Sequence, residues 1–111
     1  MTSTLDWQKE ALLQEMESLE EVRELLEVFL RSAEDLSTEI KRALEEGDLS
    51  KAREKAHALK GACATIFFER ARVLAYDLEK APDLECARSL FDTLENLLQS
   101  FKEEVKLQIS G

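Results

Sequence analysis

Residues that make or break turns are scarce in this chain, with three glycines and one proline among 111 residues. That shortage disfavours a protein of many short strands, which needs a turn signal every few residues. There are two cysteines, Cys63 and Cys86, too few and too far apart for a disulfide scaffold or a paired zinc motif. Both are expected to be free thiols packed in helices. A single histidine excludes the usual multi-histidine metal site, so no metal is expected. No stretch approaches the roughly 18 apolar residues of a membrane span, and Met1 to Asp6 carry neither a basic flank nor an apolar run. A cytoplasmic protein without membrane contact is the expectation. Lys and Arg number 15 against 24 Asp and Glu, and a net charge of −9 argues against nucleic acid as a partner.

What the sequence holds in quantity is the material of amphipathic helices, 44% hydrophobic and 35% charged residues. The length suits a single domain over residues 1–111, expected to be monomeric, whose folding buries roughly two-thirds of the surface of the unfolded chain. Charge is unevenly spread. Residues 1–50 carry 5 basic and 14 acidic side chains, residues 51–72 carry 6 and 2, and residues 73–111 carry 4 and 8. The only positive stretch therefore contains the only histidine, His57.

The apolar spacing predicts a short first helix from Thr4 or Asp6 to about Met16, with Trp7, Leu12 and Leu13 covering one end of the core. Ser18-Leu19-Glu20-Glu21 has the capping-box pattern and opens a long helix. Its stripe is Leu19, Val22, Leu26, Phe29, Leu30, Ala33, Leu36 and Ile40, and it ends at Glu46-Gly47, where glycine suits a left-handed cap. Asp48 or Ser50 caps the next helix, which runs through Ala52, Ala56, Leu59, Cys63 and Ile66. Another follows from about Glu69 to Ala81 on Val73, Leu74 and Leu78, stopped by Pro82 with Asp83 as the next cap. The last runs from Leu84 to about Gln108 on Ala87, Leu90, Phe91, Leu94, Leu97, Leu98, Phe101 and Val105. Short connections make neighbours antiparallel, so the predicted fold is all-α, an antiparallel up-and-down four-helix bundle with a short additional N-terminal helix.

On a helical wheel with His57 at zero, Leu59 falls at about 200°, Ala52 at about 220°, Cys63 at about 240° and Ile66 at about 180°. The apolar stripe lies opposite the imidazole, which faces outward. Sharing its side are Arg53 at about 320°, Lys60 at about 300°, Gly61 at about 40°, Ala64 at about 340° and, if the helix persists, Phe68 at about 20°. A glycine inside a helix costs about 1 kcal/mol relative to alanine, so Gly61 reads as room kept beside the imidazole for an approaching partner. Lys60, one turn from His57, can hold the charge of an arriving phosphoryl group. Cys63 lies about 120° around the helix, out of reach for a Cys/His nucleophilic pair.

Ala56-His57-Ala58-Leu59-Lys60-Gly61-Ala62-Cys63 resembles the motif of histidine-containing phosphotransfer (HPt) domains, A-H-x-L-K-G followed by two small residues. The likeness extends through Leu25 to Leu30, Ala43 to Asp48 and Leu78-Glu79. It implies a phosphocarrier of a two-component phosphorelay rather than an enzyme. His57 is then the phosphorylated residue, Lys60 assists and Gly61 leaves space for the receiver, while Arg53, Ala64 and Phe68, on the same side of the wheel, are the further residues expected on the docking surface. The resemblance implies response-regulator receiver domains and a sensor or hybrid histidine kinase as partners, with no cofactor on this chain and Mg²⁺ on the receiver. Two alternatives remain open. One is a docking module that is never phosphorylated, against which the intact histidine speaks. The other is the histidine-bearing input domain of a chemotaxis-type kinase, which belongs with an ATP-binding domain, whereas a separate or excised domain is the expectation. One departure stands out: where the family has Leu-Gly ten residues beyond the histidine, this chain has Ile66-Phe67 followed by Phe68.

Overall fold

The computed structural model describes Gln14 and residues 18–109. Apart from Gln14, the short helix expected before Met16, with Trp7, Leu12 and Leu13, lies outside the described residues. Four helices follow in order, α1 (Leu19–Glu45), α2 (Leu49–Thr65), α3 (Glu69–Glu79) and α4 (Leu84–Ile109). Each packs against its neighbour in sequence and α4 closes back on α1, which is the up-and-down bundle that short connections impose. Among the described residues no helix is long and apolar enough to cross a membrane.

The helix boundaries follow from side chains that satisfy orphan backbone groups. Ser18 sits in extended backbone and its Oγ accepts from the Glu21 amide at 3.3 Å, opening α1. Two further caps are aspartates: the Asp48 carboxylate accepts from the Lys51 amide at 3.0 Å, and Asp83 accepts from the Cys86 amide at 2.8 Å. Asp48 therefore opens α2 where Ser50 was the alternative. At the end of α1 the Asp48 amide reaches the Ala43 carbonyl (2.8 Å), the Gly47 amide reaches that of Leu44 (3.2 Å), and Gly47 takes φ +74°. This is a Schellman turn with glycine at its left-handed position. Arg88, from α4, donates from Nη2 to the same Leu44 carbonyl at 2.9 Å.

The end of α2 repeats that turn with a different residue. Phe68 N–H bonds the Cys63 carbonyl at 3.0 Å, Phe67 N–H bonds that of Ala64 at 3.2 Å, and Phe67 takes φ +58°. Phe67 therefore takes the left-handed conformation at the position where the resembled motif has glycine, at a cost of about 1–2 kcal/mol for an L residue. The reversal turns Phe68 inward, fully buried with its ring 4.7 Å from that of Phe101, which in turn meets Phe29 edge-on at 5.5 Å. Three elements, the α2–α3 turn, α4 and α1, are joined by that aromatic row.

Most of the expected stripes are in the core: Val22, Leu26, Phe29, Ala33 and Ile40 from α1, and Ala52, Ala56, Leu59, Cys63 and Ile66 around α2. Two positions are corrected. Leu19, expected in the α1 stripe, is exposed at the helix start, before the bundle has closed around it. Val73, expected to pack, is also exposed, because α3 is phased by Ala71, Ala75 and Leu78 and Val73 falls about 200° from Ala71. The buried residues of α2 and α3 are rich in alanine, and small side chains let helix axes approach closely.

The two Schellman turns generate opposite predictions. Phe67→Gly relieves the left-handed strain at the expense of some unfolded-state entropy and is expected to raise stability by about 0.5–1 kcal/mol, whereas Phe67→Ala keeps the strain and gains nothing. Gly47→Ala, forcing a Cβ into φ +74°, is expected to lose about 1 kcal/mol. Urea unfolding midpoints of the three variants beside the parent check both signs.

Candidate functional site

His57 stands in the middle of α2, between the buried Ala56 and Leu59, and its side chain is 67% exposed. The core stripe of α2 thus fixes the backbone and aims the imidazole away from it. Across from it lies Glu79, the last residue of α3. His57 Nδ1 is 2.9 Å from Glu79 Oε2, and Lys60 Nζ is 2.8 Å from Glu79 Oε1. Arg53 completes the set by donating from Nε to the Glu79 backbone carbonyl at 2.8 Å. One stripe of α2, at steps of four and three residues, thereby converges on a single residue of α3. The carbonyl that Arg53 meets belongs to the last turn of α3, where backbone acceptors lack helical partners and the helix dipole favours a cation.

The Lys60 ammonium holds the Glu79 carboxyl below its ordinary 4.5, with the His57 hydrogen bond adding to the effect and partial burial opposing both. An ionised carboxylate only accepts, so His57 Nδ1 is the donor and carries the ring proton. In the neutral form of the ring the other nitrogen, Nε2, holds the lone pair, and it has no hydrogen-bond partner among the described residues. A carboxylate against one nitrogen and an exposed second nitrogen is the arrangement that, with the ring neutral, orients a nucleophile or base.

Around this centre Gly61 and Ala64 are exposed. A Cβ built on Gly61 would meet nothing within 4 Å, and its backbone is ordinary helix, so neither packing nor conformation inside this chain requires glycine there. Arg53, His57, Glu79 and Lys80 share an open cleft along the α2–α3 edge. Cys63 is apart from all of this. It is fully buried, and burial pushes its thiol up to about 12, which leaves it inert as a nucleophile. Among the described residues no group of three or more His, Cys, Asp or Glu could hold a metal ion.

Of the residues singled out in the sequence, the structure brings Arg53, His57, Lys60, Gly61 and Ala64 to one surface. Phe68 is the exception. Its place on the exposed face required α2 to continue, but the helix ends at Thr65 and the turn buries the ring, so Phe68 offers no docking surface. Phe67 is the exposed aromatic of the pair, at 39%. Sequence reasoning missed Glu79. It lies 22 residues from His57 on another helix, and a wheel drawn for one helix carries no information about a neighbour. The likeness that ran through Leu78-Glu79 was the available signal, but it gave Glu79 no role.

The sequence profile of one known family, the Hpt domain, matches residues 24–104. The chain belongs to the Hpt domain family. Hpt domains are helical bundles that serve as histidine phosphotransfer modules in phosphorelays, generally phosphocarriers without catalytic activity that interact with receiver domains and kinases. The matched span runs from the first turns of α1 into the last turns of α4 and contains every residue of the His57 surface. No curated protein and no solved structure shows significant similarity to this Hpt chain.

The Glu79 pairing has a pH signature. A carboxyl held below its unfolded value contributes stability above that value, and the contribution is lost as pH falls through the folded one. The melting temperature of the parent is therefore expected to exceed that of Glu79→Gln near neutrality, with the gap shrinking below about pH 4.5 as Glu79 takes up its proton. Thermal melts of both proteins between pH 7 and pH 3 check this, and a gap that widened with acid would contradict the assignment.

Proposed function

We propose that this Hpt domain carries a phosphoryl group on Nε2 of His57, accepting it from and donating it to aspartates of response-regulator receiver domains in a cytoplasmic phosphorelay fed by a sensor or hybrid histidine kinase. The observation that carries the reading is the Nδ1 to Glu79 hydrogen bond on an otherwise exposed ring. In the forward step the P–O bond to the receiver aspartate breaks, its carboxylate is restored, and a P–N bond forms at Nε2. The ring then carries positive charge, since the Nδ1 proton stays in place, and the Glu79 carboxylate lies where that charge develops. No proton has to leave.

Phosphoryl transfer depends on alignment and charge neutralisation more than on covalent help, and an exposed imidazole needs no enclosed active site. Lys60, one turn from His57, supplies an ammonium for the phosphoryl oxygens, and the charge it now shares with Glu79 becomes available as the ring turns cationic. Gly61 and Ala64 leave the space a receiver needs to approach. The receiver supplies the Mg²⁺ and the aspartate. The positive segment around His57 in a chain of net charge −9 suits an acidic receiver pocket and orients the encounter.

The test is to charge a panel of receiver domains with a small phosphodonor, add the Hpt protein and follow acid-labile phosphate. The parent is expected to take label from at least one receiver and His57→Gln to take none, with its helical content unchanged. Gly61→Ala is expected to raise stability by about 1 kcal/mol through helix propensity while slowing transfer from the receiver. Label persisting on His57→Gln, or no label on the folded parent from any receiver, would overturn the reading.

A further inference from the structure

Tyr76 is on the outer face of α3, one turn before Glu79, and remains 44% exposed. Two ammonium groups lie over its ring. Lys60 Nζ is 5.4 Å from the ring centroid and Lys80 Nζ is 5.7 Å from it, both within the roughly 6 Å over which a ring quadrupole attracts a cation. One lysine comes from α2 and the other is the residue that closes α3, so the ring gathers cations from two elements. Like charges on long flexible stems drift apart into water unless something holds them. Lys60 is held twice, by the ring and by Glu79, and its side chain is only 24% exposed. Lys80 shares with His57 the cleft along the α2–α3 edge.

Building on the reading of His57 as the phosphorylated residue, we infer that Tyr76 is a positioning residue for that site, its ring face holding Lys60 and Lys80 as a cationic clamp beside the imidazole. A phosphoryl group arriving at Nε2 brings its charge to ammonium groups already in place, rather than to lysines that must be ordered at the moment of transfer. The ring does this without competing for the phosphoryl oxygens, because it offers the lysines a π face and no anion. The hydroxyl plays no part, so Phe can replace Tyr and Leu cannot.

Two measurements on the full chain test this in the parent, Tyr76→Phe and Tyr76→Leu. The first is the NMR shift of the Lys60 and Lys80 ε-methylene protons, which ring currents move upfield when a stem crosses an aromatic face. The second is the rate of phosphate uptake from phosphoramidate, a small donor that needs no docking surface. Its P–N bond breaks, ammonia leaves, and the new P–N bond forms at Nε2 of His57. Upfield shifts in the parent and in Tyr76→Phe are expected to vanish in Tyr76→Leu, whose uptake is expected to be about two- to fivefold slower at unchanged melting temperature. In a Lys60→Met background the Tyr76→Leu change is expected to cost less than it does in the parent, since part of its effect runs through Lys60. Unshifted lysine signals in the parent, equal uptake by Tyr76→Leu and the parent, or an equal loss in Tyr76→Phe would overturn the clamp. Shifted lysines with no uptake by the parent would instead overturn the phosphorylation of His57, and with it the use assigned to the clamp.

Discussion

Glu79 is the residue through which α3 acts on α2. Its carboxylate takes His57 on one oxygen and Lys60 on the other, while its backbone carbonyl takes Arg53. None of these contacts forms unless the two helices lie close, and the small side chains among their buried residues, Ala52, Ala56, Ala71 and Ala75, favour such an approach. The packing of the two helices, itself without chemistry, is therefore what sets the Glu79 carboxylate against Nδ1 of the imidazole. Larger residues at Ala52, Ala56, Ala71 or Ala75 would push the helices apart and dissolve the site without touching any member of it.

The two Schellman turns show how the same backbone solution serves different ends. At Gly47 the left-handed position is filled by the residue best suited to it, and the turn simply joins α1 to α2 through the Asp48 cap. At Phe67 an aromatic occupies that position under strain. The reversal it makes sends the next residue, Phe68, into the end of the bundle, where its ring meets Phe101 and through it Phe29. Burial of a phenylalanine ring contributes about 1.5–3 kcal/mol, enough to offset the 1–2 kcal/mol of left-handed strain beside it. The departure from the family pattern at Phe67 is thus absorbed at the hairpin end of α2, away from the Glu79 contacts of His57.

Charge follows the same division of labour. The acidic excess is carried by the rest of the chain, and several cations of α2 and α3 are drawn into specific partnerships rather than left as a diffuse patch. Arg53 faces a carbonyl, Lys60 a carboxylate and a ring, Lys80 the same ring, and Arg72 pairs with Glu69 one turn back on its own helix. The electrostatic surface seen by a partner is set by those pairings as much as by the count of charges.

Much of this was legible in the residues alone. The helices, their caps at Ser18, Asp48 and Asp83, the glycine end of α1 and the outward aim of His57 all follow from local rules. Capping bonds span three residues and helical periodicity repeats every 3.6, so they are written within one segment. The grouping of Arg53, His57, Lys60, Gly61 and Ala64 was readable for the same reason. Only the tertiary structure decided that Glu79 meets His57, that Tyr76 lies under two lysines, and that Phe68 is core while Phe67 is surface. Those outcomes depend on the distance and rotation between α2 and α3 and on one backbone reversal at φ +58°, which arise from packing between segments rather than from the pattern within any one of them.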